Sequence, residues 1–591
     1  MINDFSIHIA TVNGSGSQSS NSILMRSIFQ MGIPVSGKNL FPSNIAGLPT
    51  WFTIRANKNG YIARKKEVDI LVAMNPQTAF EDVKALHPGA VCISPVELKL
   101  NDVRQDVRHY QVPFTELAAQ ATENFKLRKL LTNMIYVGVV AELLEIDQAE
   151  IDKAIANQFN GKAKAIDLNL NAAKLGRQWT RENIKKEDSF AVERMNKTAG
   201  KIIIDGNAAS AIGCLFAGVT VAAWYPITPS SSLTESLIDY LHEYRADKET
   251  GKATYAVIQA EDELAAIGMA LGAGWAGARS MTSTSGPGIS LMAEFVGYGY
   301  FTEIPTVIFD VQRIGPSTGM PTRTSQADLL SAHLLSHGDT KHIVLLPGSV
   351  AECYELAGQA FDLAEKFQTP IFVLSDLDLG MNNWMSEPFA YPANPIDRGK
   401  VLDAEALEKV GEFARYKDVD GDGIPYRTLP GTNHPLGAYF TRGSGHNEKA
   451  GYTEKPEDYL KLMDRLALKM ETAKKFVPKP VVDTKKDAKI GIIAFGSSDF
   501  AVQESRDQLA VSNVQTSYLR LKALPFTQEL HQFVNAHDRV YVVEQDRDAQ
   551  LRDLLRLEMP ESAMKFRSVL HYDGLPIDAT FITDAITQQE R

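Results

Sequence analysis

Residues 259–290 read QAEDELAAIGMALGAGWAGARSMTSTSGPGIS, and this stretch decides the fold of the chain. Its first part, Glu261–Ala276, predicts a helix of small residues, and Thr282–Ser290 predicts a loop of serine, threonine and glycine. Apolar strands are predicted on either side, at Val221–Tyr225 and Pro305–Val311, without the alternation of a half-buried strand. Such strands, alternating with helices, predict a doubly wound α/β domain.

A first block of alternating strands and helices precedes this domain. The predicted elements are a strand at Ser6–Val12, a loop at Asn13–Ser20, a helix at Asn21–Met31, strands at Val68–Met74 and Ala90–Ser94, and a helical stretch at Phe114–Ala141. The polar stretch 147–190 is typical of a linker or an exposed helical connection.

The composition changes after the middle domain. Residues 392–484 are rich in Gly, Pro and Tyr and then hold a charged helix at Pro456–Phe476. The segment KFVPKPVVDTKKDAK (475–489) predicts a linker. Strands predicted at Ile490–Phe495, Thr516–Leu521 and Arg539–Glu544 indicate a second, smaller α/β domain. The fold class is therefore multidomain α/β.

Composition and charge exclude several classes of protein. The 591 residues include 61 basic and 72 acidic side chains, a net charge of −11, which argues against nucleic-acid binding. Three distant cysteines, Cys92, Cys214 and Cys353, exclude a disulfide scaffold and an iron–sulfur cluster held by this chain alone. No secretory signal is visible, so we expect a cytoplasmic protein. The uncharged run Gly206–Thr234 contains two prolines, so we expect a buried helix and strand rather than a membrane span.

The segment YPITPSSS (225–232) forms an uncharged turn after a predicted strand. Pro226 fixes the backbone, while Thr228 and Ser230 offer hydroxyls at a strand end, where open α/β sheets bind ligands. A structural turn with a helix cap explains the same residues, and both interpretations stay open.

Two charged residues of the middle domain, Glu261 and Arg313, are candidate site residues, and each also has a structural explanation. Glu261 begins the small-residue helix, where an acidic side chain suits either the helix dipole or a buried catalytic role. Arg313 follows an apolar strand, so its planar guanidinium suits a carboxylate or phosphate, or a structural ion pair.

Other motifs are weaker. The loop 13–21 predicts an anion site for a phosphorylated ligand or a serine-rich helix cap, and Ser19 breaks the dinucleotide fingerprint. Asp418–Gly423 resembles half of a calcium loop, but Leu429 stands where its glutamate is needed, so a polar loop competes. His333 and His337 lack the glutamate of a zinc-protease helix and are expected at the surface or as caps. We predict no metal site on this chain.

Taken together, the motifs resemble those of the 2-oxoacid:ferredoxin oxidoreductases, which are thiamine-diphosphate enzymes. Four motifs occur in that family's order: YPITPSS, QAEDE, TSTSGPG and QRIGPSTGMPT (312–322). The later segment RGSGHNE (442–448) is similar to the 2-oxoglutarate type. More closely, the chain resembles the alpha subunit of that type with a gamma domain fused in front. The resemblance implies a gamma-type domain at 1–190, a pyrimidine-binding-like catalytic domain at 198–391, a loop-rich insertion with a helix and linker at 392–484, and a transketolase C-terminal-like domain at 485–591.

The resemblance also implies an activity and partners. The activity is the reversible oxidative decarboxylation of 2-oxoglutarate with coenzyme A, giving succinyl-CoA and CO2, with electrons passed to ferredoxin. Pyruvate or another 2-oxoacid is an alternative substrate, and a non-catalytic scaffold subunit is the alternative role. A separate beta subunit in an (αβ)2 assembly would carry the diphosphate–Mg²⁺ site and a 4Fe–4S cluster. This agrees with the cysteines of this chain, which are too few and too far apart to hold a cluster alone.

Site residues follow from the same resemblance, position by position. Glu261 matches the glutamate at N1′ of the thiamine aminopyrimidine, while Thr228 and Arg313 match the groups that hold the oxoacid carboxylate. In the turn, Pro226 is assigned to cofactor binding and Ser230 to substrate binding. Three positions are candidate contacts for a distal carboxylate or are ordinary loop residues: His434, Arg442 and His446. The coenzyme A loop of the family matches Ser17, Gln18, Ser19, Ser20 and Asn21, and Asp546 stands where relatives often have Asn.

Overall fold

The computed structural model of the chain describes residues 1–42 and 47–591. It consists of two compact units. The first comprises Met1–Ile204, Asn382–Pro388 and Ile577–Phe581, and the second comprises Asp205–Met381, Phe389–Pro576 and Ile582–Arg591. Among the described residues, no helix has the length and apolar character needed to cross a membrane.

The first unit is built on a mixed sheet. Its elements are β1 (Asp4–Val12), α1 (Ser17–Gln30), β2 (Val35–Leu40), β3 (Pro49–Asn57), β4 (Ile70–Ala73), α2 (Ala79–Lys84), β5 (Val91–Pro95), β6 (Arg108–Val112), α3 (Phe114–Ala121), α4 (Phe125–Leu143), α5 (Gln148–Gln158), α6 (Ala163–Asn183) and β7 (Ile202–Ile204). The strand order is β2–β3–β1–β4–β5–β6, with β1, β4, β5 and β6 parallel. The parallel strand β4 is buried along its whole length, as expected when both faces of a sheet are covered.

Two predictions for this unit are wrong. The predicted loop Asn13–Ser20 is too long, because Gly14 and Gly16 turn the chain at φ of 80° and 79° and α1 already begins at Ser17. The stretch 147–190 is not simply an exposed connection, because α6 packs closely on α4. A Cβ on Gly138 would lie 2.0 Å from the Ala173 carbonyl oxygen, so only glycine permits this approach.

The second unit contains two sheets and a loop-rich insertion. Its first elements are α7 (Gly206–Phe216), β8 (Val221–Trp224), α8 (Ser231–Arg245), β9 (Ala256–Gln259), α9 (Glu263–Trp275), β10 (Ser280–Thr284), α10 (Gly286–Thr302), β11 (Thr306–Gln312), α11 (Leu329–His333), β12 (Ile343–Leu345), α12 (Val350–Phe367), β13 (Pro370–Asp376) and α13 (Leu377–Met381). The chain then returns to the first unit, where β14 (Trp384–Ser386) pairs antiparallel with β7.

The rest of the chain completes the second unit, apart from Ile577–Phe581, which hold the start of the last helix and belong to the first unit. The further elements are α14 (Ala404–Val410), α15 (Pro456–Ala473), β15 (Val481–Asp483), β16 (Ile490–Phe495), α16 (Asp499–Val511), β17 (Thr516–Leu521), β18 (Ala523–Leu524), α17 (Gln528–Asn535), β19 (Arg539–Glu544), α18 (Gln550–Glu558), β20 (Phe566–Leu570) and α19 (Ala579–Glu590). One sheet has the order β18–β12–β13–β11–β10–β8–β9, and the other has the order β15–β17–β16–β19–β20. Both are parallel apart from β18 and β15 at their edges. The predicted multidomain α/β fold is confirmed.

Several boundaries in this unit differ from prediction. The helix expected from Glu261 begins at Glu263, after the cap Asp262, so Glu261 lies before it. The loop expected at Thr282–Ser290 is the end of β10 and the start of α10, because its serines and threonines continue a fully buried strand. The linker 475–489 contributes β15, which pairs with β17. His333 is buried, with Nδ1 2.9 Å from the His342 carbonyl oxygen, and not at the surface.

A buried ionic cluster attaches the insertion to the larger sheet. Glu303, which links α10 to β11, is buried and accepts hydrogen bonds from Arg465 Nη1 at 3.0 Å and from Lys469 Nζ at 2.9 Å. Its carbonyl oxygen also accepts one from Arg415 Nη2 at 2.9 Å. Arg465 and Lys469 lie on α15, so one carboxylate holds that helix against the sheet domain. These two cations hold the pKa of Glu303 well below its usual range despite the opposing effect of burial.

The substitution Glu303→Gln should therefore destabilise the second unit strongly. It leaves Arg465 and Lys469 buried without a counter-charge, and breaking a buried pair in this way costs about 3–5 kcal/mol. Chemical denaturation would measure the loss. Glu405→Gln is the matched control, because the exposed pair between Glu405 and Lys409 is expected to contribute about 0–1 kcal/mol. Equal losses in the two variants would contradict this account of the cluster.

Candidate active site

The turn after β8 is fixed by hydrogen bonds from the side chains around it. Asn207 Nδ2 donates to the Pro229 carbonyl oxygen at 2.9 Å and to Ser232 Oγ at 2.8 Å. Ser230 is buried, and its hydroxyl donates to the Ile227 carbonyl oxygen at 3.1 Å. Ser230 therefore closes the turn, while Thr228 stays half-buried and Pro226 exposed.

Arg313 reaches this turn from the end of β11. The side chain is buried, and Nη1 donates to the Thr228 carbonyl oxygen at 2.7 Å. Nε is buried without a hydrogen-bond partner in the described part of the chain. Burial lowers the pKa of Arg313, and the nearby carboxylates of Asp328 and Glu263 oppose that effect. The structure thus brings together two of the predicted residues, Thr228 and Arg313.

Glu261 follows the strand next to β8. Gln259 at the end of β9 pairs with Trp224 at the end of β8, so Glu261 and the turn leave the sheet at the same edge. The Glu261 side chain is exposed, whereas Glu263 is buried in the first turn of α9. Asp262 caps α9 by accepting a hydrogen bond from the Ala265 amide at 2.8 Å. The acidic run thus has three different environments, and only Glu261 is open to a ligand.

The start of α10 lies against this cluster. A Cβ on Gly288 would lie 1.9 Å from Thr284 Oγ1 and 2.8 Å from Glu263 Cγ. This close packing explains the glycines of TSTSGPG. Sequence reasoning missed two buried carboxyl groups in the same region, Asp310 within β11 and Asp328 before α11. The available signal was a single Asp inside the apolar strand TVIFDVQ.

In the first unit, the predicted residues 17–21 form the first turn of α1. Ser17 Oγ lies 2.8 Å from Thr11 Oγ1, and Asn21 Oδ1 accepts a hydrogen bond from the Tyr136 hydroxyl at 2.7 Å. Ser20 is also buried, so its side chain, like those of Ser17 and Asn21, faces the protein. Gln18 is exposed and Ser19 is half-buried.

The Asp418 loop satisfies its carboxylates internally. Asp418 Oδ1 accepts from the Gly421 amide at 2.9 Å, and Oδ2 accepts from the Gly423 amide at 2.8 Å. Lys400 Nζ lies 2.6 Å from Asp420 and 2.8 Å from Asp422, where a cation would otherwise sit. Within residues 1–42 and 47–591, no three His, Cys, Asp or Glu side chains are placed to hold a metal ion.

The three distal candidates do not share one environment. His434 Nε2 lies 3.0 Å from Glu408 Oε2, and Arg442 Nε donates to the Ala450 carbonyl oxygen at 3.3 Å. His446 is buried, and its ring lies against Tyr416. In the smaller sheet domain, Asp546 is also buried, and its Oδ1 accepts from the Ala549 amide at 2.6 Å.

The fold contains an open parallel α/β sheet, and such sheets bind ligands at the carboxyl ends of their strands, where Arg313 and Thr228 meet. Residues 212–391 match the family described as pyruvate flavodoxin/ferredoxin oxidoreductase, thiamine diP-bdg. Residues 6–179 match the family described as pyruvate ferredoxin/flavodoxin oxidoreductase. Thiamine diphosphate is therefore the cofactor class of the domain that holds Thr228, Glu261 and Arg313.

Relatives agree with these matches. The 2-oxoglutarate synthase subunit KorA of Methanothermobacter thermautotrophicus is 35% identical, over 54% of this chain and 80% of that protein. The 2-oxoacid:ferredoxin oxidoreductase 2, subunit alpha, of Aeropyrum pernix is 29% identical, over 99% of this chain and 97% of that protein. The solved 2-oxoglutarate:ferredoxin oxidoreductase from Magnetococcus marinus, with 2-oxoglutarate, coenzyme A and succinyl-CoA bound, superposes over 100% of both chains with a TM-score of 0.90 and 26% identity. The chain belongs to the 2-oxoacid:ferredoxin oxidoreductase family, and the resemblance of its motifs to this family is confirmed.

Proposed function

We propose that the chain is the alpha subunit of a thiamine-diphosphate-dependent 2-oxoglutarate:ferredoxin oxidoreductase. The reaction is the reversible oxidative decarboxylation of 2-oxoglutarate with coenzyme A to succinyl-CoA and CO2, with electrons passed to ferredoxin. The observation that carries the proposal is the hydrogen bond from Arg313 to Thr228 at the sheet edge that Glu261 also follows. The KorA relatives and the bound 2-oxoglutarate of the Magnetococcus enzyme support the choice of substrate.

Arg313 and Thr228 are proposed to hold the carboxylate of the oxoacid. The guanidinium keeps Nε without a partner among the described residues, and a guanidinium matches a carboxylate well in charge and shape. The Thr228 hydroxyl is the neutral donor beside it. Ser230 and Pro226 contribute by shaping the turn, because the Ser230 hydroxyl is already bonded within it.

The described residues fit the aminopyrimidine half of thiamine diphosphate. Glu261 offers an exposed carboxylate beyond β9, which suits N1′ of the aminopyrimidine. The diphosphate–Mg²⁺ half has no counterpart among the described residues, where no metal-holding group is found. When bound, the cofactor supplies a carbon nucleophile for the 2-oxo carbon. Glu261 would hold a proton at N1′ by hydrogen bonding.

The substitution Glu261→Gln should abolish most turnover without preventing assembly. An amide removes the carboxylate that N1′ requires, and loss of such a group costs about 10²-fold or more in rate. Glu261 is exposed, so folding should be unaffected. Steady-state turnover of the assembled enzyme would be measured beside Glu263→Gln, which should retain far more activity. Near-normal turnover in Glu261→Gln would remove the proposed role.

A beta subunit is proposed to supply the missing half of the site. The three cysteines of this chain are all buried, and burial raises the pKa of each thiol, so they are poor ligands for a cluster. The Mg²⁺ and the 4Fe–4S cluster are therefore assigned to the partner, in an (αβ)2 assembly that reduces ferredoxin.

The proposed docking face for the beta subunit lies on α9 and α10. Leu264 and Met269 on α9 are 40% and 43% exposed, and Leu291 and Phe295 on α10 are 49% and 39% exposed. The Phe295 ring lies against Gly268 of α9, so these exposed apolar side chains belong to two adjacent helices, and an apolar surface of this kind marks a candidate protein interface. It begins directly after Glu261, so a subunit that covers it would also reach the proposed cofactor position.

The substitution Phe295→Asp should prevent assembly with the beta subunit. A buried aspartate at an apolar interface lacks a partner, and its desolvation opposes association. Co-expression with a tagged beta subunit and size-exclusion chromatography would measure the loss. Tyr244→Asp is the control, because Tyr244 is 68% exposed at the end of α8, away from this face. Normal assembly of Phe295→Asp would move the interface elsewhere.

Coenzyme A is proposed to bind at the start of α1, within a gamma-type domain at 1–190. Gln18 and Ser19 have accessible side chains there, and the first turn holds no acidic residue that would repel a phosphate. The other proposed domains are the catalytic domain at 198–391, the insertion at 392–484 and the C-terminal domain at 485–591.

An oxoacid screen would test the proposed function. The chain, co-expressed with its beta subunit and replete in cluster, is assayed for coenzyme A-dependent reduction of a low-potential dye. We expect a preference for 2-oxoglutarate. A preference for pyruvate would keep the reaction and overturn the substrate. No activity with any 2-oxoacid would favour a non-catalytic scaffold.

A further inference from the structure

Asp310 is a buried carboxyl group without a partner. It lies in β11 with no measurable exposure, and neither carboxyl oxygen has a hydrogen-bond partner in the described part of the chain. The flanking strands place uncharged residues opposite it, Thr284 on β10 and Leu374 on β13. An isolated charge in such a place is strongly unfavourable.

Asp328 supplies a second carboxyl group in the same region. Its amide donates to Gln312 Oε1 at 3.0 Å, which fixes it near the end of β11. Its carboxyl group packs on the start of α10, since a Cβ on Gly286 would lie 2.8 Å from Oδ2 and 2.9 Å from Oδ1. Oδ2 is buried and unpartnered among the described residues.

Among the described elements around this pair, one cation, Arg313 after β11, lies near Asp328. Helix α9 adds a further carboxylate near Arg313, that of Glu263. The only charged side chain of α10 is Glu294, which is largely exposed. On α11, His333 is buried, and burial lowers its pKa to about 4, so it is neutral at neutral pH.

The remaining described neighbours bring no cation that lacks a carboxylate partner. At the end of β13, Asp376 accepts a hydrogen bond from Ser497 Oγ at 2.6 Å, and Asp378 follows in α13. On α12, Glu352 is bonded to Arg520 and Glu365 to Arg427. The remaining charged side chains of α12 are Glu355, Asp362 and Lys366, of which Asp362 pairs with Arg279 and Lys366 with Asp397.

Two buried carboxyl groups that repel each other cannot both ionise easily. Burial and the charge of Asp328 raise the pKa of Asp310 well above its ordinary value. Burial raises the pKa of Asp328 to about 7, although Arg313 opposes the shift. The pair therefore retains a proton at neutral pH, and its titration belongs to both residues.

We propose that Asp310 and Asp328 are positioning residues that share one proton and, through their net charge, control how strongly Arg313 attracts the oxoacid carboxylate. This inference rests on the proposed function, which assigns that carboxylate to Arg313. Neither aspartate is proposed to touch the substrate.

The sign of the pH effect follows from the charges. With one proton on the pair, its single negative charge leaves Arg313 attractive to an anion. As pH rises above neutral, the last proton leaves, and the second negative charge opposes binding of the oxoacid. One added charge about 12 Å from a bound anion, at an effective dielectric of about 20, weakens binding by about tenfold. The effect is expected in KM, because the second negative charge opposes binding of the anionic oxoacid before its carboxylate leaves as CO2.

Two measurements on the assembled αβ enzyme test the inference. An infrared difference spectrum between the wild type and the double variant Asp310→Asn/Asp328→Asn at neutral pH should show the carbonyl stretch of a buried protonated carboxyl group. The KM for 2-oxoglutarate should rise about tenfold from neutral to alkaline pH in the wild type and stay within about twofold in the double variant, in which neither carboxyl group remains. If the double variant folds poorly, Asp328→Asn replaces it, because this change removes the carboxylate that acts on Arg313 and should reduce the rise in KM.

The outcomes are separable. Absence of that band from the difference spectrum overturns the shared proton. A band in the difference spectrum, together with a KM that still rises with pH in the double variant, overturns the action through Arg313. Arg313→Gln reports on the proposed function, since it should raise KM about tenfold or more at every pH. An unchanged KM in that variant overturns the assignment of Arg313 to the oxoacid, and with it the charge control, while the infrared band still reports on the pair.

Discussion

Parallel strands end at the same edge of their sheet, and the organisation of the second unit depends on this constraint. The ends of β8, β9 and β11 carry Thr228, Glu261 and Arg313, which are distant in sequence. The sheet order places β10 between β8 and β11, so Arg313 must extend across a neighbouring strand to reach the Thr228 carbonyl oxygen. A long side chain at the end of a buried strand meets that requirement, and a shorter cation would not.

Buried charges are balanced differently in two regions of the second unit, around Glu303 and around Arg313. Around Glu303, two cations on α15 compensate one carboxylate, so every charge there has a partner and the insertion is held firmly. Around Arg313, the balance is reversed, because the carboxylates of Asp328 and Glu263 face a single guanidinium. The first arrangement is typical of a structural anchor. The second leaves ionisation states close in free energy, which is a property of functional sites.

The sequence allowed much of this architecture to be predicted, because apolar strands, small-residue helices and ordered motifs are local signals. The sequence predicted Thr228, Arg313 and Glu261 as site residues because each lies in a motif at a strand end. Asp310 and Asp328 were not found, because their meaning depends on neighbours from other strands and helices. The strand β15 was missed because an edge strand of only Val481–Asp483 makes no periodic pattern within a Pro/Lys-rich segment.

The division between exposed and buried groups suggests how the proposed site is shared between subunits. Under the proposed function, Glu261 contacts a cofactor whose diphosphate finds no metal-holding group among the described residues, so its exposure beside the exposed apolar side chains of α9 suits assembly with a second subunit. The groups that tune Arg313 have the opposite requirement, because water would screen their charges and weaken their influence. We therefore interpret the first turn of α9 as the boundary between the exposed surface for a second subunit and the buried groups near Arg313. Glu261 lies outside this turn, and Glu263 lies within it. An acidic run of three residues can thus serve three purposes, provided that each carboxylate has a different exposure.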